Sequence, residues 1–243
     1  MNCIVTGASR GIGYETVKAL SKLTGHQIIA VARTPELLAS LNNECRAAGA
    51  QSSIHPIAAD LGKPESLNQL VKQASLLFSR VDVLINNAGL FLNKPFQDIS
   101  DSELGRLYEV NVLGVFRLIR ELVPLLGSKA TANTGAGPSH VVNISSMGGV
   151  QGSTKFKGLS AYSSAKGALA VLTECLAEEL KTQFITVNCL ALGAVQTEML
   201  EKAFPGYKAP LSAAQMGAYI ANFALTGQEF FNGKILEVSL STP

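Results

Sequence analysis

Short apolar segments alternate along the chain with longer segments in which apolar residues recur at helical spacing. The short segments are β-branched and almost continuously apolar, which is typical of strands buried on both faces of a sheet. They predict strands at residues 3–6, 26–32, 52–58, 82–86, 140–145, 185–190 and 234–238. Because helical segments separate these strands, we predict an α/β fold: a doubly wound parallel sheet of seven strands with helices on both faces. The length of 243 residues is compatible with a single domain over residues 1–243.

The segments between the strands predict helices, two of which begin at recognisable capping residues. Thr34 precedes Pro35, a residue favoured at the first helical position, and Ser100 with Glu103 matches the pattern of a capping box. The predicted helices cover residues 11–23, 35–48, 63–79, 100–126 and 159–184. Residues 129–139, rich in Ala, Thr and Gly, and residues 148–158 are instead predicted to be loops.

Composition and charge add to this picture mainly by excluding several classes of protein. The chain is 47% hydrophobic and 16% charged, and its net charge of +2 is too small to indicate a nucleic-acid or anionic-membrane surface. No apolar run approaches the ~20 residues of a membrane span, and no basic segment of a signal peptide precedes the first strand. The cysteines and histidines show no metal-ligand spacing. We therefore expect no metal site, and reduced thiols in a cytoplasmic protein, at Cys3, Cys45, Cys175 and Cys189.

A glycine-rich segment joins the first predicted strand to the first predicted helix. It reads Thr6-Gly7-Ala8-Ser9-Arg10-Gly11-Ile12-Gly13. Glycines in this context allow a tight turn and a close approach of the backbone to a phosphate, and the following helix presents free N–H groups and its positive dipole end. The segment therefore predicts a dinucleotide site. The alternative is that these glycines only form a tight turn.

Tyr162 and Lys166 lie four residues apart in the predicted helix over residues 159–184, so the phenol and the ammonium project from one face. A cation about 4 Å from a phenol contributes on the order of 4 kcal/mol at an effective dielectric near 20, enough to lower the pKa of the phenol by roughly one or two units. Such a tyrosine can exchange a proton with a substrate oxygen. The same spacing also occurs by chance on surface helices, so the pair alone does not establish catalysis.

The order of these motifs resembles that of the short-chain dehydrogenase/reductase family, in its short single-domain branch, over almost the whole chain. The matching residues are 6–13, Asp60-Leu61, Asn86-Asn87-Ala88-Gly89, Asn111, Ile144-Ser145-Ser146, Tyr162, Lys166 and Val187-Asn188. The resemblance implies a Rossmann-type fold. It also implies hydride transfer between a nicotinamide cofactor and a carbonyl or secondary alcohol.

The resemblance further implies which residues bind the cofactor. Asp60 would accept a hydrogen bond from the adenine amino group, and Leu61 would bond adenine through its backbone. Asp60 could also cap the helix that begins near Pro64. The other implied cofactor contacts are Gly7, Ser9, Gly11, Ile12, Gly13, Asn87, Ala88, Gly89, Lys166, Val195 and Thr197.

The end of the second predicted strand bears on which nicotinamide cofactor is used. It reads Val31-Ala32-Arg33, without the acid that bonds the ribose hydroxyls of NAD. Arg33, and Arg10 in the glycine-rich segment, could instead bind a 2′-phosphate. We therefore expect NADP(H) to be preferred over NAD(H), the alternative being that both arginines are solvated surface charges.

The family pattern assigns the catalytic roles to four residues. Tyr162 would donate a proton to the substrate oxygen, and Ser146 would hydrogen-bond and orient that oxygen, whereas Ser145 would be structural. Lys166 would bind the nicotinamide ribose and lower the pKa of Tyr162. Asn111 would hold a water that relays protons, or would alternatively be a packing residue that bends its helix.

The chain departs from the family pattern at two places near this site. The interval of 16 residues from Ser146 to Tyr162 is longer than usual. The extra residues, within 152–158, are expected at the edge of the pocket. Leu192 replaces a proline that usually follows the sixth strand, and we expect this change to loosen the turn before Val195 and Thr197.

An apolar segment, residues 198–210, is expected to contact the substrate. With other apolar residues it predicts a mostly hydrophobic pocket for a ketone or an aldehyde, although these residues could equally be ordinary packing. They are Met199, Leu200, Ala203, Phe204, Tyr207, Phe91, Leu92, Met147 and Val150. A 3-oxoacyl thioester reductase is an alternative. Three acids on the helix after Lys166 argue mildly against an acidic carrier protein as its partner: Glu174, Glu178 and Glu179.

The two long predicted helices, residues 100–126 and 159–184, carry more leucines than one face of a sheet requires. We predict that Leu118, Leu122, Leu169, Leu172 and Leu176 lie at a subunit interface. The resemblance implies a homodimer or homotetramer formed through these helices. The alternative from another class is a non-catalytic NADP(H)-binding regulatory protein, which would have no need to retain the complete catalytic set.

Overall fold

The protein, described by a computed structural model over residues 1–127 and 137–240, is built on a central parallel sheet. Its strands are β1 (Asn2–Thr6), β2 (Gln27–Ala32), β3 (Ser53–Ala58), β4 (Val83–Asn86), β5 (Ser139–Ser146), β6 (Ile185–Leu192) and β9 (Ile235–Val238). Their spatial order is β3-β2-β1-β4-β5-β6-β9. Two short strands, β7 (Val195–Gln196) and β8 (Leu211–Ser212), pair with each other outside this sheet. The predicted doubly wound sheet of seven parallel strands is confirmed.

Helices cover both faces of this sheet. They are α1 (Gly11–Ser21), α2 (Pro35–Ala47), α3 (Pro64–Leu77), α4 (Asp101–Tyr108), α5 (Gly114–Leu122), α6 (Ser160–Glu179), α7 (Glu198–Ala203) and α8 (Ala213–Thr226). Buried residues of α1, α2 and α8 form one hydrophobic cluster, and those of α3, α5 and α6 form a second. Each cluster includes alternate residues of the central strands, which explains why those strands are apolar on both faces.

The predicted helix over residues 100–126 is divided into three parts. The capping box is confirmed: the Ser100 hydroxyl accepts from the Glu103 amide at 3.3 Å, and the Glu103 carboxylate accepts from the Ser100 amide at 2.9 Å. After α4 the backbone passes through a π-helical segment, Glu109–Leu113, before α5 begins. Such segments occur frequently beside functional sites, and this one contains Asn111.

Other element boundaries also differ from the prediction. Thr34 is the N-cap residue of α2, but its side chain makes no capping hydrogen bond. The predicted helix over residues 159–184 ends at Glu179 and is followed by a tight turn, with Phe184 in the left-handed region at φ 65°. Most of the predicted loop over residues 129–139 lies outside the described residues.

Two helices, α7 and α8, were not predicted. The sequence contained a signal for α8, because Ser212 and Gln215 form a second capping box at its start. The six-residue α7 follows its N-cap residue Thr197, whose hydroxyl accepts from the Leu200 amide at 3.2 Å. It occupies the segment that the sequence assigned to substrate contact.

The strand order places a crevice above β1 and β4. β2 and β3 lie on one side of β1, and β4 lies on the other. The loops that follow β1 and β4 therefore lead away from each other. Thr6 at the end of β1 donates a hydrogen bond to the Ile85 carbonyl at 3.3 Å. Its hydroxyl also accepts from the Asn87 and Ala88 amides, each at 3.1 Å. These bonds fix the floor of the crevice.

Three of the five leucines predicted at a subunit interface are buried in the core instead. Leu118 and Leu122 are fully buried, Leu169 is 1% exposed, and Leu172 and Leu176 pack against the same cluster. For Leu118, Leu122 and Leu169 the prediction was wrong, because helical spacing identifies an apolar face but not the surface that covers it. The exposed large apolar side chains of the π-helical segment, α5 and α6 are Leu113, Phe116 and Val171, at 43%, 42% and 59%. Within the described residues no helix has the length and apolar character needed to cross a membrane.

Candidate active site

A cavity of about 570 Å³ lies at the carboxyl ends of the central strands. Most of the predicted site residues line it. They are Gly7, Ser9, Arg10, Gly11, Ile12, Arg33, Asp60, Leu61, Asn87, Ala88, Gly89, Ser146, Tyr162, Lys166, Val195 and Thr197. Two predicted residues, Gly13 and Asn111, lie outside this lining. The fold therefore gathers residues from most of the length of the chain around one space.

The glycine-rich segment forms a closely packed turn between β1 and α1. Gly7 and Gly11 have φ values of +70° and +59°, in the region that favours glycine. A Cβ atom on Gly13 would lie 2.4 Å from the Gly7 carbonyl oxygen, so a side chain there would force the turn apart. The Asn87 side-chain amide donates to the Thr6 carbonyl at 3.0 Å and to the Gly7 carbonyl at 3.3 Å. Gly13 thus acts through packing, and Asn87 braces the turn.

The first turn of α1 provides donors for an anion. Gly11 and Ile12 line the cavity, and the N-cap residue Arg10 makes no side-chain hydrogen bond to this turn. The first amides of a helix have no partner within the helix and carry the positive end of its dipole. Phosphate groups bind at such positions. This cradle, which a side chain at Gly13 would disrupt, fits the pyrophosphate of a dinucleotide.

Asp60 is held by an arginine that the sequence analysis did not identify. The Arg106 guanidinium on α4 donates to both carboxylate oxygens of Asp60, at 2.7 and 3.0 Å. The Gly62 amide donates to the same carboxylate at 3.0 Å. Burial acts to raise the pKa of Asp60, but the Gly62 amide, Arg106 and the charge of Arg33 outweigh it and hold the pKa below its usual value. The alternative role of Asp60 as a helix cap was wrong, because the N-cap residue of α3 is Lys63.

The two arginines predicted at a 2′-phosphate lie on the wall of the same cavity. Arg33 directly follows β2, and its charge reaches Asp60. The Arg10 guanidinium forms an ion pair with Glu198 at the start of α7, at 3.2 Å. Both partners of this pair are mostly exposed, at 61% and 69%, so the pair contributes little to stability.

The two serines at the end of β5 have different surroundings. The Ser145 hydroxyl is buried and donates to the Lys166 carbonyl at 2.8 Å, so it joins β5 to α6. The Ser146 hydroxyl lines the cavity and accepts from the Gly148 amide at 3.3 Å, which leaves its proton available for another acceptor. This geometry favours Ser146 as the serine that contacts a substrate.

Tyr162 and Lys166 project from α6 into the cavity. The Lys166 ammonium donates to the Ile144 carbonyl at 2.7 Å and lies 5.8 Å from the centre of the Tyr162 ring. Phe91 packs against the Tyr162 ring, with the ring centres 5.1 Å apart. Burial raises the pKa of Tyr162 to about 12. Burial is the cause of this raised pKa in the protein alone, and the lowering of the Tyr162 pKa by Lys166 stays a prediction.

Asn111 lies behind the wall of the cavity. Its carbonyl oxygen accepts from the Leu90 amide at 2.7 Å, and its amide donates to the Leu90 carbonyl at 2.9 Å. The side chain therefore ties the π-helical segment to the loop after β4. The role of Asn111 in holding a water stays a prediction.

The turn after β6 is ordered although Leu192 replaces the usual proline. The Gly193 amide donates to the Val238 carbonyl at 3.0 Å, and Val195 pairs with Leu211 between β7 and β8. Thr197 caps α7. The turn therefore forms without the proline, supported by the neighbouring edge strand and the small second sheet, and its looseness relative to the family stays a prediction.

Comparison with known proteins places this geometry in a family. The short chain dehydrogenase family model matches residues 2–208. The chain belongs to the short-chain dehydrogenase family. Carbonyl reductase (NADPH) 2 of Sus scrofa is 36% identical over 199 residues, which are 82% of this chain and 73% of that protein. The rhamnolipids biosynthesis 3-oxoacyl-(acyl-carrier-protein) reductase of Pseudomonas aeruginosa is 33% identical over 196 residues, 81% of this chain and 73% of that one.

A solved structure resembles the whole of this dehydrogenase. It is the Pseudomonas aeruginosa RhlG/NADP active-site complex, with a TM-score of 0.82 and 27% sequence identity. The match covers 98% of this chain and 94% of that one. The protein is thus an oxidoreductase of CH–OH and C=O groups in small molecules, built on the Rossmann-type fold that its sequence predicted.

The substrate side of the dehydrogenase cavity is mainly apolar. The predicted residues that line it are Phe91, Met147, Met199, Leu200, Ala203 and Phe204. Leu92 instead packs beside Leu107, and neither Val150 nor Tyr207 lines this cavity. Phe156 and Leu159 also line it and were not predicted. The signal for Phe156 was its position between two lysines, as the one aromatic residue of the long interval before Tyr162.

Replacing Lys166 with methionine should stabilise the fold at neutral pH. Burial lowers the pKa of Lys166 to about 8, so the native state carries a desolvated charge below pH 8. Between pH 8 and the ordinary value of 10.5, the native state releases its proton before the unfolded state does, so this destabilisation is progressively relieved. Lys166→Met should therefore raise the free energy of unfolding by about 1–3 kcal/mol at pH 7. Urea unfolding measures this gain.

The pH dependence of the increase in the free energy of unfolding shows whether it comes from removing the buried charge of Lys166 or from better packing of the methionine. The advantage of Lys166→Met over the wild type should shrink as pH rises from 8 towards 10, because the native lysine becomes neutral there. Lys181→Met, on the exposed turn after α6, should change stability little at either pH. A Lys166→Met variant less stable than the wild type at pH 7 would contradict the prediction.

Proposed function

We propose that the protein is an NADP(H)-dependent reductase of small, mostly apolar ketones and aldehydes, which oxidises the corresponding alcohols in reverse. The convergence of Ser146, Tyr162 and Lys166 on the cavity that also holds the glycine-rich turn carries this proposal. The acidic and basic groups needed for proton transfer thus lie beside the place where a dinucleotide fits. A non-catalytic binding protein would not need these three residues together.

The chain offers contacts to each part of such a cofactor. The amides at the start of α1 would hold the pyrophosphate, and Asp60 and Leu61 would border the adenine. Arg33, with Arg10, would bind a 2′-phosphate, and these two cations support a preference for NADP(H) over NAD(H). Names of relatives agree with this use, since one is a carbonyl reductase (NADPH) and the matched structure is an NADP complex.

The side chains then divide the work of carbonyl reduction. When bound, the nicotinamide supplies a hydride to the carbonyl carbon or accepts one from the alcohol carbon. Tyr162, protonated at neutral pH because its pKa is about 12, donates its phenolic proton to the carbonyl oxygen. The Ser146 hydroxyl hydrogen-bonds that oxygen as negative charge develops on it. Lys166, whose pKa is about 8, is cationic at neutral pH and stabilises the phenolate that the proton transfer leaves.

The walls of the cavity support an apolar substrate. Phe91, Met147, Met199, Leu200 and Phe204 offer no charge to a ligand, and most of the lining beside α7 is apolar, although Glu198 and Lys202 of this helix also reach the cavity. A 3-oxoacyl thioester reductase is the second candidate, because one relative has that name. The exposed acids of α6 favour the first candidate, since they would repel an acidic carrier protein.

NADPH consumption by the purified protein with diketones, aryl ketones, aldehydes and 3-oxoacyl thioesters tests the proposal. We expect turnover of ketones or aldehydes, with a higher kcat/KM for NADPH than for NADH. A strong preference for 3-oxoacyl thioesters would support the second candidate. Tight NADPH binding without turnover of any carbonyl compound would instead indicate the non-catalytic alternative.

We also propose that the protein is a cytoplasmic homodimer or homotetramer that associates through the helices of residues 100–126 and 159–184. The exposed apolar residues Leu113, Phe116 and Val171 on these segments support this assembly.

Val171→Asp should reduce the mass measured by analytical ultracentrifugation to that of a smaller species, because it places a charge in the contact. Leu76→Asp, at a residue 79% exposed on α3, should leave the mass unchanged. A monomeric wild type would contradict the proposal.

A further inference from the structure

A second cavity, of about 750 Å³, lies beside the active-site cavity. We call it the outer groove; it is bounded by Phe96, Val150, Gln151, Lys155, Ser160 and Gly167, among others. Four residues line both cavities: Gly148, Phe156, Leu159 and Ser163. The two spaces are therefore separated by a single layer of residues.

Phe156 is the largest side chain in that shared layer. Its ring packs edge-to-face against Phe204, with the ring centres 5.3 Å apart and an interplanar angle of 73°. Phe204 follows α7 and lines only the active-site cavity. The contact thus joins the long interval before Tyr162 to the end of α7, on the side of the active-site cavity that faces the outer groove. Aromatic pairs of this geometry are favourable beyond the area they bury.

Hydrogen bonds to backbone carbonyls hold the segments that carry this pair. The Asn93 side-chain amide donates to the Ala203 carbonyl at 3.1 Å, next to Phe204. The Lys94 amide donates to the Gly158 carbonyl at 2.9 Å, and Gly158 adopts a φ of +84° that only glycine takes readily. The loop after β4 therefore fixes both neighbouring segments, and the Phe156–Phe204 contact does not depend on the two rings alone.

The lysine beside Phe156 points away from the reaction site. The Lys155 ammonium donates to the Val150 carbonyl at 2.5 Å and to the Ser153 hydroxyl at 2.7 Å. These bonds hold Lys155 against its own loop, residues 150–156. Phe156, rather than Lys155, is therefore the side chain of this loop that lines the active-site cavity.

We propose that Phe156 and Phe204 form an aromatic boundary that determines specificity by limiting the length of the substrate. The boundary admits compact ketones and aldehydes with aryl or short alkyl groups, and it excludes long alkyl chains from the outer groove. This inference rests on the proposed carbonyl reductase activity. Removing the Phe156 ring joins the two cavities and lets an alkyl chain extend past the boundary.

The kinetic test compares acetophenone with methyl decyl ketone in the wild type and in Phe156→Ala. The ratio of kcat/KM for methyl decyl ketone to that for acetophenone should rise by about tenfold or more, because several additional methylene groups become buried. Phe96→Ala is the matched control, since Phe96 is 78% exposed and lines only the outer groove; its ratio should not change. An unchanged ratio in Phe156→Ala would overturn the proposal. The proposal would also be overturned if the wild type preferred methyl decyl ketone and Phe156→Ala lost that preference. The alkyl chain of the substrate would then bind along Phe156 instead of being excluded by it.

A second measurement, of tryptophan fluorescence quenching, does not need turnover. It therefore tests the aromatic boundary independently of the proposed carbonyl reductase activity. The chain contains no tryptophan, so Phe156→Trp and Phe96→Trp each introduce a single fluorophore. Acrylamide should quench Phe156→Trp several-fold less than Phe96→Trp, and adding Phe204→Ala should increase quenching only in the Phe156→Trp background. Equal quenching of the two single variants would overturn the boundary. Failure of the carbonyl assay alone would overturn only the proposed function.

Discussion

Replacing Tyr162 with phenylalanine should lower kcat for carbonyl reduction by about a thousandfold or more, with little change in the Kd for NADPH. The substitution removes only the phenolic oxygen. The ring would keep its contact with Phe91, whose centre lies 5.1 Å away, and Lys166 would keep its hydrogen bond to the Ile144 carbonyl. The loss should therefore fall on the proton transfer rather than on the shape of the cavity. Initial rates under saturating NADPH, with Kd from NADPH fluorescence, measure the two effects separately.

A matched control for this variant is Tyr219→Phe. Tyr219 lies on α8, is 42% exposed and does not line the cavity, so removal of its hydroxyl should leave both kcat and Kd unchanged. Carbonyl reduction by Tyr162→Phe at a rate near that of the wild type would show that another group donates the proton. The raised pKa of Tyr162, about 12, also predicts that reduction does not decline through deprotonation of this phenol near neutral pH.

The sequence was most informative where an element is buried on all sides. β1, β4 and β5 are buried along nearly their whole length, so their apolar runs stand out, and the helices between them leave few other topologies. The turn from Thr6 to Gly13 was predictable for a related reason. Its glycines are required by positive φ angles at Gly7 and Gly11 and by the close approach of Gly13 to the Gly7 carbonyl.

The features that the sequence did not reveal depend on contacts between distant residues. Arg106 and Asp60 are 46 positions apart, and nothing local to either residue indicates their pairing. Leu118 and Leu169 have the spacing of an apolar helical face, but only the fold shows that the sheet covers them. The sequence shows a charge four residues from Tyr162, but it does not show the burial of the phenol, which raises its pKa.

Cofactor preference also depends on the surroundings of a residue that the sequence shows only locally, here the arginine after β2. Arg33→Asp should reverse the proposed preference for NADP(H), changing the ratio of kcat/KM for NADPH to that for NADH by about a hundredfold or more. Arg33 follows β2 on the cavity wall, and its charge reaches Asp60, which supports its proposed place beside the adenosine ribose. A carboxylate there would repel a 2′-phosphate and could accept hydrogen bonds from the ribose hydroxyls of NADH.

Arg46→Asp is the control for this reversal, because it makes the same change in net charge on the exposed side of α2 and does not line the cavity. Its ratio should match that of the wild type, which excludes a general electrostatic effect on a more anionic cofactor. Arg10→Asp should have a smaller effect than Arg33→Asp, since Arg10 already has a carboxylate partner in Glu198 at 3.2 Å. A ratio unchanged by Arg33→Asp would mean that Arg33 is a solvated surface charge. The preference would then have to come from Arg10, and Arg10→Asp would show the larger change.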